Sequence, residues 1–114
     1  MTADTLQLPG GARVPIDEKG YLTDYASWTP EVASAMAAAD GIALTPDHWR
    51  VLAIFRQYFE QYEVEPPMRA LVRRVREEIG EEQGSSRYLY RLFPDGPTTQ
   101  ASRYAGLPRP LSCI

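Results

Sequence analysis

The chain has 114 residues, 44% of them hydrophobic, with a formal net charge of −3, one histidine and one cysteine. That length fits one domain that buries a core without disulfides, and one His with one Cys cannot assemble a usual zinc site, so neither metal nor cofactor is expected. No apolar run approaches the roughly 20 residues of a membrane span and no signal-peptide pattern opens the chain, so the expected setting is reducing and cytoplasmic, away from the membrane.

From the N-terminus, Thr5-Leu6-Gln7-Leu8 and Arg13-Val14-Pro15-Ile16 alternate apolar and polar around Pro9-Gly10-Gly11. This predicts a small β-hairpin, with Pro15 marking an edge. Thr29-Pro30-Glu31 supplies an N-cap followed by proline at the first helical position, for a helix running to Ala39 before Asp40-Gly41. Thr45-Pro46-Asp47 repeats that signal, and the helix it opens carries Trp49, Leu52, Ala53, Phe55, Phe59 and Tyr62, apolar around much of its circumference and therefore central.

Pro66-Pro67 opens a third helix with Met68, Leu71, Val72, Val75 and Ile79 as a helical stripe. Arg69, Arg73 and Arg76 are read as its opposite side. After Gly80 and Gly84, Ser85-Ser86 caps a short aromatic helix, in which Tyr88, Leu89 and Leu92 face the core. Pro94-Asp95-Gly96-Pro97 turns into a last helix ending near Ala105. The fold class is mostly α (α+β): a helical bundle-like domain over residues 1–105 with an N-terminal β-hairpin, and a flexible C-terminal arm over 106–114.

That arm, Gly106-Leu107-Pro108-Arg109-Pro110-Leu111-Ser112-Cys113-Ile114, ends a helix at its glycine and bars a new one with its prolines. At about 3.1 Å per residue, a proline-stiffened segment carries Cys113 roughly 20 Å from Gly106. A semi-rigid arm with a terminal thiol suits a group that enters another protein's site. The plain alternative is an incidental cysteine. Thiolate is the reactive form, and a free cysteine near pKa 8.5 is only about 3% ionised at pH 7. Arg103 and Arg109 are placed to assist ionisation, against the neighbouring C-terminal carboxylate.

Charge is distributed unevenly. Through Glu65 four basic residues stand against ten acidic ones; from Pro66 onward eight stand against five. All but Lys19 of the basic residues are arginine, whose planar fork suits carboxylates and phosphates. Arg69, Arg73 and Arg76 with Arg87 and Arg91 are therefore candidate partner-binding residues; a solvated helix face is the alternative. The helices 67–79 and 86–93 also resemble a helix-turn-helix in outline, making a DNA-binding regulator the alternative from another class. A pI near 5.1 weighs against it. His48, in the first turn of its helix, reads as a cap or surface residue before a general base, and Trp28 and Trp49 as packing anchors.

Ser86-Arg87-Tyr88-Leu89-Tyr90-Arg91-Leu92-Phe93-Pro94-Asp95-Gly96-Pro97 resembles the DsrC/TusE family. So do Gly20-Tyr21-Leu22, Trp28, His48-Trp49, Gln100-Ala101, Ala105-Gly106-Leu107-Pro108-Arg109-Pro110 and the penultimate cysteine, so the likeness spans nearly the whole chain. Its members are small sulfur carriers. The resemblance implies that Cys113 takes sulfane sulfur as a persulfide and passes it on, as a sulfurtransferase component without a self-contained active site. In the sulfur-relay branch the donor is a TusBCD-like complex and the acceptor an MnmA-like thiouridylase that modifies the tRNA wobble uridine, with tRNA phosphates in reach of the arginines. In the dissimilatory branch the partner is a DsrAB-type sulfite reductase, and a second arm cysteine lies eleven residues before the last one. Here that place holds Ser102, which removes disulfide or trisulfide chemistry and leaves persulfide transfer intact. A DsrC-like paralogue in dissimilatory or regulatory sulfur metabolism is the alternative within the family.

Overall fold

The computed structural model describes residues 4–108. Strands β1 (Asp4–Gln7) and β2 (Arg13–Ile16) pair antiparallel, with Thr5 opposite Pro15 and Leu6 opposite Val14. The period of two sets Leu6, Val14 and Ile16 against the core while Thr5, Gln7, Arg13 and Pro15 stay exposed. The chain then passes an isolated bridge between Ile16 and Leu22 and a 3₁₀ turn at Tyr25–Ser27.

Five α-helices follow: α1 (Pro30–Ala39), α2 (Pro46–Tyr62), α3 (Met68–Glu78), α4 (Ser86–Leu92) and α5 (Pro97–Tyr104). Pro30, Pro46 and Pro97 open their helices as the sequence predicts, because the first turn needs no N–H from them. Thr45 and Ser85 cap α2 and α4 through their hydroxyls, whereas the Thr29 side chain makes no cap bond and α1 starts on Thr29's carbonyl alone. Helix α5 packs against α1, α2 and α4, and α2 also packs on α3. Their shared interior holds Phe55, Leu71, Val75, Leu89, Phe93 and Tyr104, all fully buried. The mostly helical architecture with a small hairpin is as the sequence reading has it.

Three local findings differ from it. Residues 106 and 107, assigned to the arm, are buried, and Leu107 is only 1% exposed. The packed part therefore runs through Leu107, because the glycine that ends α5 turns that leucine back onto the core. Second, Arg69, Arg73 and Arg76 are not opposite the apolar stripe of α3. They share a groove of about 350 Å³ with Met68 and Val72, since positions 69, 73 and 76 lie next to the 68/72 row on a 3.6-residue helix. Third, His48 is a cap as expected but is buried, at 5% exposure, and is not a surface residue.

Candidate functional site

The C-terminal end of α5 is where the domain passes into the thiol-bearing segment. Arg109 and Cys113 lie outside the described residues, so the structure bears on the root of that segment. Ala105, Gly106 and Leu107 close α5 by the Schellman pattern: Leu107 N–H donates to the Ser102 carbonyl (3.0 Å) and Gly106 N–H to that of Arg103 (3.1 Å). Gly106 takes φ +78°, and a Cβ there would sit 2.5 Å from Trp28 Cδ1. Only glycine fits both the left-handed backbone and the approach to the indole.

Two side chains complete the root. The Trp28 indole N–H donates to the Tyr104 carbonyl (2.7 Å), and Arg56 Nη1 donates to that of Ala105 (2.7 Å). The Arg56 guanidinium lies 4.2 Å from the centre of the Tyr25 ring and 4.1 Å from that of Trp28. Tyr25 in turn donates its hydroxyl to Glu60, one turn beyond Arg56 on α2 (3.0 Å). Trp28 is the packing anchor expected of it; Arg56, Tyr25 and Glu60 were missed. The available signal was an Arg and a Glu four apart on α2, which alone reads as a surface ion pair.

On its other side α5 is tied to the end of α1. Asp40 Oδ2 accepts from the Tyr104 hydroxyl (2.6 Å) and from Arg103 (2.9 Å), and Gln100 donates to the Tyr104 oxygen (2.9 Å). Partial burial by itself raises the Asp40 carboxyl, but the bonds from Tyr104 and Arg103 outweigh it and hold it below its ordinary value of 3.8. Tyr104 is raised, first by burial and then by Asp40. The sequence reading puts Arg103 beside the thiol; its guanidinium is committed to Asp40. A depressed carboxyl stabilises the fold above the unfolded pKa, and that contribution is lost as pH falls through the folded value. We therefore expect thermal stability to drop as pH falls below about 3.8. Asp40→Asn should flatten that drop and cost about 1 kcal/mol at pH 7, the modest figure reflecting a solvent-screened pair. Thermal melts of both proteins from pH 3 to 7 check this.

Ser102 is fully buried, and its hydroxyl proton is shared between the Thr98 carbonyl (2.5 Å) and Glu65 Oε2 (2.8 Å). It is a helix residue bonded into the fold. His48 is likewise engaged at both ring nitrogens. Nδ1 accepts from Thr45 N–H (3.0 Å), so the proton resides on Nε2, which donates to the Leu92 carbonyl (2.8 Å). An imidazole so occupied has no free nitrogen for general base chemistry.

The arginines divide into two sets. Arg76 donates to the Gly84 carbonyl (3.0 Å) and closes the α3–α4 turn. A Cβ at Gly84 would lie 2.6 Å from Arg76 Cβ, which is why that turn needs glycine. Arg74 stacks toward Tyr58. Arg69, Arg73, Arg87 and Arg91 are exposed and form no ion pair; among the described residues the ion pairs are Arg50–Asp47 and Arg103–Asp40. The structure thus leaves four guanidinium groups facing outward on α3 and α4.

The protein is a small helical domain whose last helix is capped from within the fold, and its sequence runs on from there to the single cysteine. A family model described as DsrC like protein matches residues 9–114, and the chain belongs to that family. It is 43% identical over 104 residues to the sulfurtransferase TusE of Pectobacterium atrosepticum, covering 91% of this chain and 95% of that protein. Against TusE of Escherichia coli strain K12 the identity is 42% with the same coverage. Among solved structures, Allochromatium vinosum DsrC superposes with a TM-score of 0.87 at 43% identity, covering 99% of this chain and all of that one. The oxidised γ-subunit of the dissimilatory sulfite reductase (DsrC) from Archaeoglobus fulgidus gives 0.85 at 36% identity, covering 97% and 100%.

Proposed function

We propose that this protein is a sulfur-relay carrier that holds sulfane sulfur as a persulfide on Cys113. The observation that carries the reading is the 43% identity to sulfurtransferase TusE across nearly the whole chain, in a protein whose only cysteine is the penultimate residue. The Cys113 thiolate attacks the outer sulfur of a donor persulfide; the new S–S bond forms on Cys113 and the donor cysteine leaves as its thiolate. The reaction is thiol–disulfide exchange with sulfane sulfur as the transferred group, and no electrons are gained or lost overall. An acceptor thiolate repeats the step on the Cys113 persulfide. Access and ionisation are the requirements, which a terminal thiol meets when a partner's site supplies desolvation.

The finer reading places the chain in tRNA wobble-uridine 2-thiolation, between a TusBCD-like donor and an MnmA-like acceptor. The buried Ser102 supports it, since a hydroxyl bonded to Thr98 and Glu65 cannot take up a bridging sulfur. The dissimilatory reading, with a DsrAB-type partner, draws on the equal identity to Allochromatium vinosum DsrC. Incubation with a persulfidated donor, followed by intact mass spectrometry, tests the carrier role: one added sulfur on the chain, absent in Cys113→Ser, is expected. No added sulfur defeats it.

Arg69, Arg73, Arg87 and Arg91 serve in this reading as the docking charges, with Arg109 as the cation near the thiol. Reversing Arg69 and Arg73, or Arg87 and Arg91, to Glu should slow partner association about tenfold at low salt and flatten its salt dependence, because exposed charges act on encounter. The rate at which a small reagent alkylates Cys113 should not change. Stopped-flow binding at two salt concentrations, beside alkylation rates, measures both.

A further inference from the structure

Helix α3 buries Leu71 and Val75 completely, with α2 as its main packing partner, and leaves Met68 and Val72 beside them only half-buried. Side chains four residues apart line up along a helix, so Met68, Val72 and Arg76 form one ridge and Arg69 and Arg73 the next. Between these ridges lies the groove of about 350 Å³. Met68 and Val72 supply its apolar surface, and all three arginines are exposed along it. Arg69 and Arg73 form no ion pair among the described residues, and Arg76 meets the Gly84 carbonyl and no carboxylate. The groove thus combines uncovered apolar surface with three positive charges that lack a counter-charge.

We propose that this groove seats an acidic amphipathic helix of a partner protein, whose apolar row covers Met68 and Val72 while its flanking carboxylates pair with Arg69, Arg73 and Arg76. The inference rests on the docking role of Arg69 and Arg73. A groove between two four-residue ridges accepts the four-residue ridge of another helix. Methionine adapts its shape to an incoming side chain, and guanidinium groups hold carboxylates through paired N–H donors. Helix α3 has 11 residues, so roughly 16 Å, or about three turns, of partner helix match its length. A phosphate backbone would satisfy the guanidinium groups equally well. It brings no apolar group to Met68 and Val72, however, and neither residue offers an aromatic face on which a base can stack. The apolar floor therefore selects an acidic protein segment over a nucleic acid. The two kinds of contact act on different steps: the arginines speed encounter, and the covered apolar row sets how long the complex lasts.

The probe is a fluorescein-labelled synthetic peptide of about 15 residues, long enough to form a helix on binding, with leucine at every fourth position and glutamate on either side of that row. A peptide of the same residues in shuffled order has the same charge and no apolar row, and a single-stranded RNA oligonucleotide of similar charge represents the phosphate alternative. By fluorescence anisotropy on the full chain, the patterned peptide should bind about tenfold more tightly than the shuffled one. Its amide chemical-shift changes in NMR spectra should centre on residues 68–76. Met68→Gln and Val72→Thr should each raise the dissociation rate about fivefold with the association rate within about twofold, whereas Arg69→Gln combined with Arg73→Gln should slow association. Val72→Thr keeps the β-branched shape, so it carries the measurement if Met68→Gln does not fold. Equal binding of the two peptides overturns the groove and leaves the arginines as simple docking charges. Binding of neither overturns both. Tighter binding of the RNA with the same amides shifted makes the face a nucleic-acid surface, and concentration-dependent shifts there without peptide make it a contact between two copies of the chain; either result overturns the proposal. A chain that seats the peptide but takes up no sulfur keeps the groove and loses the carrier role.

Discussion

Cys113→Ser should abolish sulfur transfer while leaving the melting temperature within about 2 °C of the unaltered protein. The two halves of that expectation rest on different physics. Transfer requires a sulfur nucleophile, and a serine hydroxyl neither forms nor releases an S–S bond, so the loss should be complete rather than partial. Stability is expected to hold because Cys113 lies six residues beyond Leu107, the last buried residue among those described, and a thiol outside a core would remove no packing on substitution. Parallel melts and single-turnover transfer assays read both. A fall of several degrees would show a buried structural cysteine, and residual transfer would place the sulfur elsewhere. DNA binding that weakens steeply with salt and survives this substitution would instead favour the helix-turn-helix alternative.

Gly106→Ala should be among the most destabilising single-methyl changes in the chain, costing about 2–4 kcal/mol and roughly 10 °C in melting temperature. Two penalties combine. The residue sits at φ +78°, where any Cβ is strained, and the added methyl would lie 2.5 Å from Trp28 Cδ1 and 2.9 Å from Cγ. Relief requires the indole to move, which breaks its bond to the Tyr104 carbonyl and disturbs the Arg56 stack. Gly41→Ala separates the two terms, because Gly41 has a similar φ of +76° and open space around its Cβ direction. It should cost about 1 kcal/mol, the backbone share alone. Urea denaturation of both variants gives the difference; equal costs would mean that the Trp28 contact carries no energy.

Local chemistry was legible in the sequence, because it depends on residues near one another in the chain. Proline at the first helical position, Thr45 and Ser85 as caps, the two-residue alternation of the hairpin and the stripe on α3 each follow from short-range sterics and hydrogen bonding. Their helices and strands stand within a residue or two of the expected bounds. The terminal thiol, the serine at position 102 and the likeness to the DsrC/TusE family were likewise visible in one dimension. So was the outward placement of Arg69, Arg73, Arg87 and Arg91, since charge that finds no partner nearby stays in water.

What the sequence did not disclose are pairings between residues far apart along the chain, whose partners are chosen only when helices pack. Arg56 reads as a surface charge until α2 and α5 meet and bring the Ala105 carbonyl to it, 49 residues away. Arg103 reads as a neighbour of the thiol until Asp40 arrives from the end of α1, and His48 as a cap or surface residue until packing buries it with Nε2 on the Leu92 carbonyl. Where the arm begins was decided in the same way. A helix-ending glycine followed by prolines marks a boundary at residue 105 by local rules. The burial of Leu107 and the seating of Gly106 on Trp28 move it two residues on, because the apolar surface gained there outweighs the local preference to leave.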